Sequence, residues 1–263
     1  MQSSVLRVLF VGDVIGRPGR RTLRELLPQL RKELDINLVI ANGENAAGGF
    51  GLTRSVVEEI LGVGVDVITT GNHVWDKKEV MELLRSDEYP ILRPYNYPSR
   101  VPGRGYLILD SIVVVNLQGR IFMDPIDCPF TCMEEILMLI ASENKPIFVD
   151  FHAEATSEKL AFAYYFDGKV SAVVGTHTHV PTADERVLPN GTAYITDVGM
   201  TGPMNSIIGM DPDKVIKRFL TGIPVKLEVA KGETVLQGVV VEIDLSSRRA
   251  LSISRISRVF VPS

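Results

Sequence analysis

Five apolar, β-branched runs in this chain each end, within a few residues, in a side chain able to hold a cation. VLRVLFV runs into Asp13, INLVIA into Glu44 and Asn45 of NGEN, and VDVITT into Asn72 and His73 of TGNH. KPIFV leads to His152 of DFHAEAT, and VSAVVG to His177 and His179 of GTHTH. Helical patterns separate the first three runs: RRTLRELLPQLRKEL, then LTRSVVEEILGVG, with DKKEVMELLRS following the third. This βαβαβ rhythm calls for a parallel sheet with covered faces, and in an open α/β sheet the strand ends line one crevice. Groups far apart in sequence then converge. Two carboxylates, two amides and several imidazoles in one crevice have the donor chemistry of a metal site.

Local signals sharpen the outline. Pro28 is expected to bend or break the first helix, and Thr53 to cap the second. The segment from Pro90 to Pro102 reads as an ordered loop, and GYLILDSIVVVNLQG as two strands joined antiparallel. From Met123 to Met133, with Pro125 and Pro129, an irregular stretch is expected before the helix MEEILMLIASEN. Asn190-Gly191 marks a hairpin, and the tail from Lys226 alternates as an antiparallel meander. The expectation is one domain over 1–263, parallel at its centre and antiparallel at its edges, with two packed sheets and helices outside.

Composition narrows the function classes. With 263 residues, 45% hydrophobic and 23% charged, the chain can bury a substantial core. A net charge of -4 gives no extended electrostatic footprint for nucleic acid. The first apolar run is interrupted by Arg7 and Asp13, unlike a signal peptide, and no stretch has the length of a membrane span, so the cytoplasm is expected. Cys128 and Cys132 are too few for a disulfide framework.

Each candidate ligand has a plain structural alternative. Asp13 could merely form a turn, and GDVIGRPGRRT lacks the Gly-Lys-Ser/Thr ending of a phosphate loop. Asn42 and Asn45 could serve the NGEN turn, but turn chemistry does not explain Glu44, whose carboxylate can bridge two ions. In an extended segment alternate residues share a side, so His177 and His179 are expected to face together. Taken jointly, the groups favour a metal centre.

At these residues the chain resembles the calcineurin-like metallophosphoesterases, whose pattern runs GD, an acid, GNH, a histidine and GHTH. It departs from that pattern at Ile15, where a histidine is usual, and at Glu44 with Asn45, where an aspartate is usual. With NGENAAGGFG, VDFHAEATSEK and TDVGMTGP it is similar to the bacterial YmdB-like branch of 2′,3′-cyclic-nucleotide phosphodiesterases. The resemblance implies a four-layer α/β/β/α sandwich and a dinuclear centre of iron, with manganese or zinc as substitutes. By position, one ion would take Asp13, Glu44, Asn45 and His179, and the other Glu44, Asn72, His152 and His177. A hydroxide bridging the ions would attack a small anionic phosphodiester, with His73 as general acid. Two other functions remain open: a phosphomonoesterase or nucleotidase on the same ions, and a regulatory protein acting through the site. No membrane partner is expected, and a homo-oligomer is. The loop with Tyr95, Tyr97, Arg100 and Arg104 is either a substrate rim or a packed surface loop. MTGPMNSIIGMD would line the site or an oligomer contact.

Overall fold

A computed structural model describes residues 5–261. Its first half builds one sheet. β1 (Val5–Val11), β2 (Asp13–Val14), β3 (Leu38–Asn42) and β4 (Val67–Thr69) alternate with α1 (Gly16–Glu33), α2 (Arg54–Gly62) and, after β4, α3 (Val80–Arg85). β5 (Tyr106–Ile108) and β6 (Val113–Gln118) open a second sheet, joined by β7 (Ile147–His152), β8 (Ala172–Thr176), β9 (Arg186–Val187) and β10 (Ala193–Ile195). α4 (Pro129–Leu139) and α5 (Thr156–Tyr165) are its crossovers. β11 (Met200–Pro203), α6 (Pro212–Thr221), β12 (Thr234–Asp244) and β13 (Ala250–Phe260) complete the chain.

The strand order is β2-β11-β12-β1-β3-β4, with β13 also on β12, in one sheet, and β5-β6-β7-β8-β10-β9 in the other. In the second sheet the antiparallel strands β5 and β9 are at the edges, as expected. The first sheet differs. β12 runs antiparallel to β1 along Val5–Val11 and sits inside the sheet, not at its rim. Val235, Leu236, Val239, Val241 and Ile243 are all buried there, so both faces of β12 are covered.

Three apolar seams define four layers. Along β1 the side chains alternate: Leu9 and Val11 pack towards Leu23 and Leu27 of α1, whereas Val8 and Phe10 turn to the second sheet. Phe10 stacks on Phe148 of β7 at 5.8 Å between ring centroids. Beyond the second sheet, Val149 and Phe151 meet Met133 and Ile136 of α4 and Phe162 of α5. The result is helix, sheet, sheet, helix, as the resemblance implies.

Two local expectations need correction. α1 continues through Pro28 to Glu33. The proline removes a donor from the Arg24 carbonyl, but both residues are exposed, so solvent can take that bond. α4 starts at Pro129, inside the stretch expected to be irregular, because a proline at the first helical position carries a preset φ and needs no N–H.

One end of the inter-sheet seam is polar. Asn116 of β6 clamps Thr70 from both sides, donating to its carbonyl at 2.9 Å and accepting from its N–H at 3.0 Å. Asp150 of β7 accepts from Thr69 at 2.5 Å and from Asn42 at 3.2 Å. These bonds lock β3 and β4 to the second sheet just where their chains exit towards the candidate ligands. Among the described residues, no helix is long and apolar enough to cross a membrane.

Candidate metal centre

Seven candidate ligands from five strand exits meet at this polar end. Asp13 opens β2, Glu44 and Asn45 follow β3, and Asn72 follows β4; His152 ends β7, and His177 and His179 follow β8. Asp13, Glu44, Asn45 and His152 are buried. Ligand atoms of Glu44, His152 and His177 all lie within 4.8 Å of one another.

One group centres on His152. Its Nε2 lies 3.1 Å from Glu44 Oε1, 3.0 Å from Asn72 Oδ1 and 3.1 Å from His177 Nδ1. Gly71 makes this approach possible, since a Cβ there would lie 2.1 Å from the His152 ring. The protons can be placed by accounting. Thr176 gives its only hydroxyl proton to Asp150 at 2.7 Å, so its contact with His152 Nδ1 at 2.9 Å must be donated by the imidazole. With Nδ1 so engaged, His152 turns Nε2 towards the cluster, where Glu44 raises its imidazole pKa although burial opposes the charge. His177 Nε2 lies 3.1 Å from the Glu154 carboxylate. Burial and the neighbouring His152 push the His177 imidazole down to about 3, so it is neutral. Ligand-type atoms of Glu44, Asn72 and His177 thus converge on His152 Nε2. A cation would satisfy that set of donor atoms.

The second group pairs Asp13, Asn45 and His179. His179 Nδ1 donates to the Ile208 carbonyl at 2.9 Å, which turns Nε2 towards Asp13 Oδ1 at 3.5 Å. Burial opposes a charge on His179, but Asp13 outweighs it and raises the imidazole to about 9. Asp13 is likewise held below the usual carboxylate range by His179 despite its burial. Here a proton stands where a metal cation would fit. Asn45 presents Nδ2, not its oxygen, to Asp13 at 3.4 Å, Glu44 at 3.4 Å and His179 at 3.2 Å. Its side chain would join a metal shell only after its amide turned over to offer Oδ1.

The histidines of GTHTH reach the centre by a route other than the one expected. β8 ends at Thr176, and His177 and His179 have φ of 100° and 65°, so the segment is a left-handed turn and not an extended strand. The two rings separate, His177 to the His152 group and His179 to Asp13. A buried ion pair fixes the turn: Lys159 of α5 donates to Asp197 at 3.0 Å and to the Thr176 carbonyl at 2.8 Å. Asp197 in turn accepts from the Thr178 N–H at 3.1 Å. Burial drives Asp150 up to about 7, yet the donors aimed at it from Thr69, Thr176 and Asn42 suit a carboxylate.

His73 stands at the rim. Its backbone N–H donates to Glu44 Oε2 at 3.0 Å, its Nδ1 lies 2.9 Å from Asp76, and the Phe50 ring meets it edge-on at 4.9 Å. Its side chain is 31% exposed, and among the described residues its ring makes no hydrogen bond to a candidate ligand.

Sequence reasoning missed Asp150, Lys159, Asp197, Glu154 and Asp76. An acid inside the apolar run IFVDFH and a lysine on the buried face of α5 were the available signals. Of the flanking loops, MTGPMNSIIGMD lines the site through Ile208. The Tyr95 loop is mainly packed: Tyr95 lies against the second outer seam, and Arg104 bonds the Tyr89 carbonyl at 3.0 Å. Tyr97 alone approaches the polar end, donating to Gln118 at 3.3 Å.

Comparison with known proteins agrees with this architecture. A family model described as YmdB-like protein matches residues 9–256. A 2′,3′-cyclic-nucleotide 2′-phosphodiesterase of Bacillus subtilis is 50% identical, over 95% of this chain and 96% of its own length. The crystal structure of a hypothetical protein from Thermus thermophilus superposes with a TM-score of 0.91 at 45% identity, covering 98% of this chain and 100% of that one. The structure of a Mycoplasma pneumoniae protein described as a novel phosphatase gives 0.90 at 37%, covering 97% and 94%. Crevice, ligand order and relatives lead to one conclusion: this chain belongs to the YmdB-like family and has a metallophosphoesterase-type fold.

Proposed function

We propose that the chain is a metal-dependent phosphodiesterase of small phosphodiesters, with 2′,3′-cyclic nucleotides as its substrate class. The observation that carries this reading is the convergence of Glu44 Oε1, Asn72 Oδ1 and His177 Nδ1 on His152 Nε2. Two ions would be held by Asp13, Glu44, Asn45 and His179, and by Glu44, Asn72, His152 and His177, iron being the favoured metal. Bound there, the ions would neutralise the phosphate oxygens and acidify water, the two obstacles to hydrolysing an anionic ester. Substrate class is supported by the Bacillus subtilis relative.

The chain's own groups supply the rest. Asp76 accepts from His73 Nδ1 in a hydrogen bond that orients the ring, while Phe50 limits its rotation. His73 Nε2 then hands its proton to the ribose oxygen as the P–O bond breaks and water adds to phosphorus. Proton transfer of this kind contributes about 10²–10⁴-fold. Asp150, through Thr176, keeps His152 in the tautomer that bares Nε2. The whole chain, 1–263, would act as one domain, because both sheets furnish ligands.

Purified protein should be assayed against 2′,3′-cyclic AMP, bis-p-nitrophenyl phosphate and p-nitrophenyl phosphate. The expected order is cyclic nucleotide first and monoester last. A dominant monoesterase activity would replace this reading with the phosphomonoesterase alternative.

A further inference from the structure

A cleft outside the metal centre remains unexplained. It lies between α1 and the extended segment 226–234, has a volume of about 1090 Å³, and is lined by six cationic and four acidic side chains. In a chain of net charge -4 this is a local excess of positive charge. Most of the acids are already engaged. Glu59 accepts from Arg20 at 2.6 Å, Glu228 lies 2.5 Å from Lys214, and Glu25 lies 3.6 Å from Arg24. That leaves Arg17, Arg21, Lys226 and Lys231 facing Glu233. The side chains of Arg17 and Lys231 are exposed and make no ion pair or hydrogen bond among the described residues.

The shape suits a strand of alternating phosphates and bases. Arg17, Arg21 and Arg24 recur on one face of α1 over about 10 Å of helix axis. Arg21 lies over the Phe260 ring at 5.4 Å, an aromatic and guanidinium surface on which a base can stack. The opposite wall is held by backbone bonds from Ala230 to Gly209, from Asp211 to Glu228 and from Met204 to Glu233. The cleft also reaches the catalytic loop. Gly48, in the same turn as Glu44 and Asn45, is one of its lining residues, and Phe50 two residues on touches His73. Arg20 ties α1 to that turn through the Ala46 carbonyl.

We propose that this cleft holds the upstream phosphates of a short oligoribonucleotide whose 2′,3′-cyclic phosphate end occupies the metal centre. The inference rests on the phosphodiesterase reading above and extends its substrate from a mononucleotide to an RNA terminus. Such termini arise when a 2′-hydroxyl displaces the next nucleotide, so an RNA-cleaving transesterification must supply the substrate. The cleft is short, in keeping with a chain that carries no extended basic surface.

The test compares a fluorescein-labelled pentauridylate ending in 2′,3′-cyclic phosphate with 2′,3′-cyclic UMP. Wild type is set against the Arg17→Glu/Lys231→Glu variant, whose altered residues are exposed. Binding is followed by anisotropy and turnover by kcat/KM, at low and high salt. The pentanucleotide is expected to bind more tightly than the mononucleotide. The variant should lower the ratio of the two kcat/KM values roughly tenfold and flatten the salt dependence. Equal affinity for the two ligands, or an unchanged ratio in the variant, overturns the proposal. If the pentanucleotide binds through Arg17 and Lys231 but neither compound is hydrolysed, the phosphodiesterase reading fails and the cleft assignment stands.

Discussion

The two sheets bring different chemistry to the same place. From exits of the first come the oxygen-bearing groups, Asp13, Glu44, Asn45 and Asn72; from the second come the imidazoles, His152, His177 and His179. Their supports differ too. On the first sheet the ligand turns are held largely by main-chain bonds, such as Gly16 N–H to the Asn45 carbonyl at 2.9 Å. On the second they are held by buried side chains, Asp150 beneath His152 and Lys159 with Asp197 beneath the GTHTH turn. Neither sheet alone carries a complete donor set. The cluster exists only when the apolar seam between them has formed, so the proposed cation binding would be thermodynamically linked to sheet packing.

The sharpest break in this comparison would come from the buried ion pair. Lys159→Met leaves Asp197 in the interior without its cation, which should cost about 3–5 kcal/mol in denaturant unfolding. The double variant Lys159→Met/Asp197→Leu should recover much of that stability yet still bind metal poorly, because the Thr178 N–H has lost its acceptor. Recovery of both properties would mean that the pair only fills space.

Two phenylalanines separate the seams. Phe10→Ala opens the inter-sheet seam against Phe148, and Phe162→Ala opens the outer seam, where Phe162 stacks on Phe151 at 4.3 Å. Each should lose about 3–5 kcal/mol. Only Phe10→Ala should also weaken metal retention in protein that remains folded, measured by competition with a chelator. Equal losses in the two variants would erase the distinction.

A smaller effect is expected from Asp150→Asn. The new amide can donate to Thr176, which frees that hydroxyl to donate to His152 Nδ1 and forces the imidazole proton onto Nε2. Metal affinity should fall about 10–100-fold with little change in stability. An unaltered affinity would show that Asp150 does not set the tautomer.

The strand exits were readable because each ligand lies next to an apolar run whose end the α/β architecture aims at one crevice. Asp13, Glu44, Asn72 and His152 needed only that rule. The same rule brings His177 and His179 to the crevice, but the expectation that they face together fails, since positive φ at both residues replaces strand alternation with a turn. Supports such as Lys159 were hidden because a lone lysine in an amphipathic helix looks like a solvated residue until its partner, 38 positions away, is known. β12 was misplaced for a related reason: alternation marks it as a strand but carries no information on which strand it pairs with. At Thr53 the position of the helix start is right, but its side chain makes no capping bond.

Metal analysis of three proteins purified identically tests the central claim most directly: wild type, Glu44→Gln and His73→Ala. Wild type and His73→Ala should each retain about two ions per chain, with turnover lost in His73→Ala, and Glu44→Gln should lose metal and activity together. Full metal occupancy in Glu44→Gln, or metal loss in His73→Ala, would contradict a centre assembled around Glu44 with His73 at its rim.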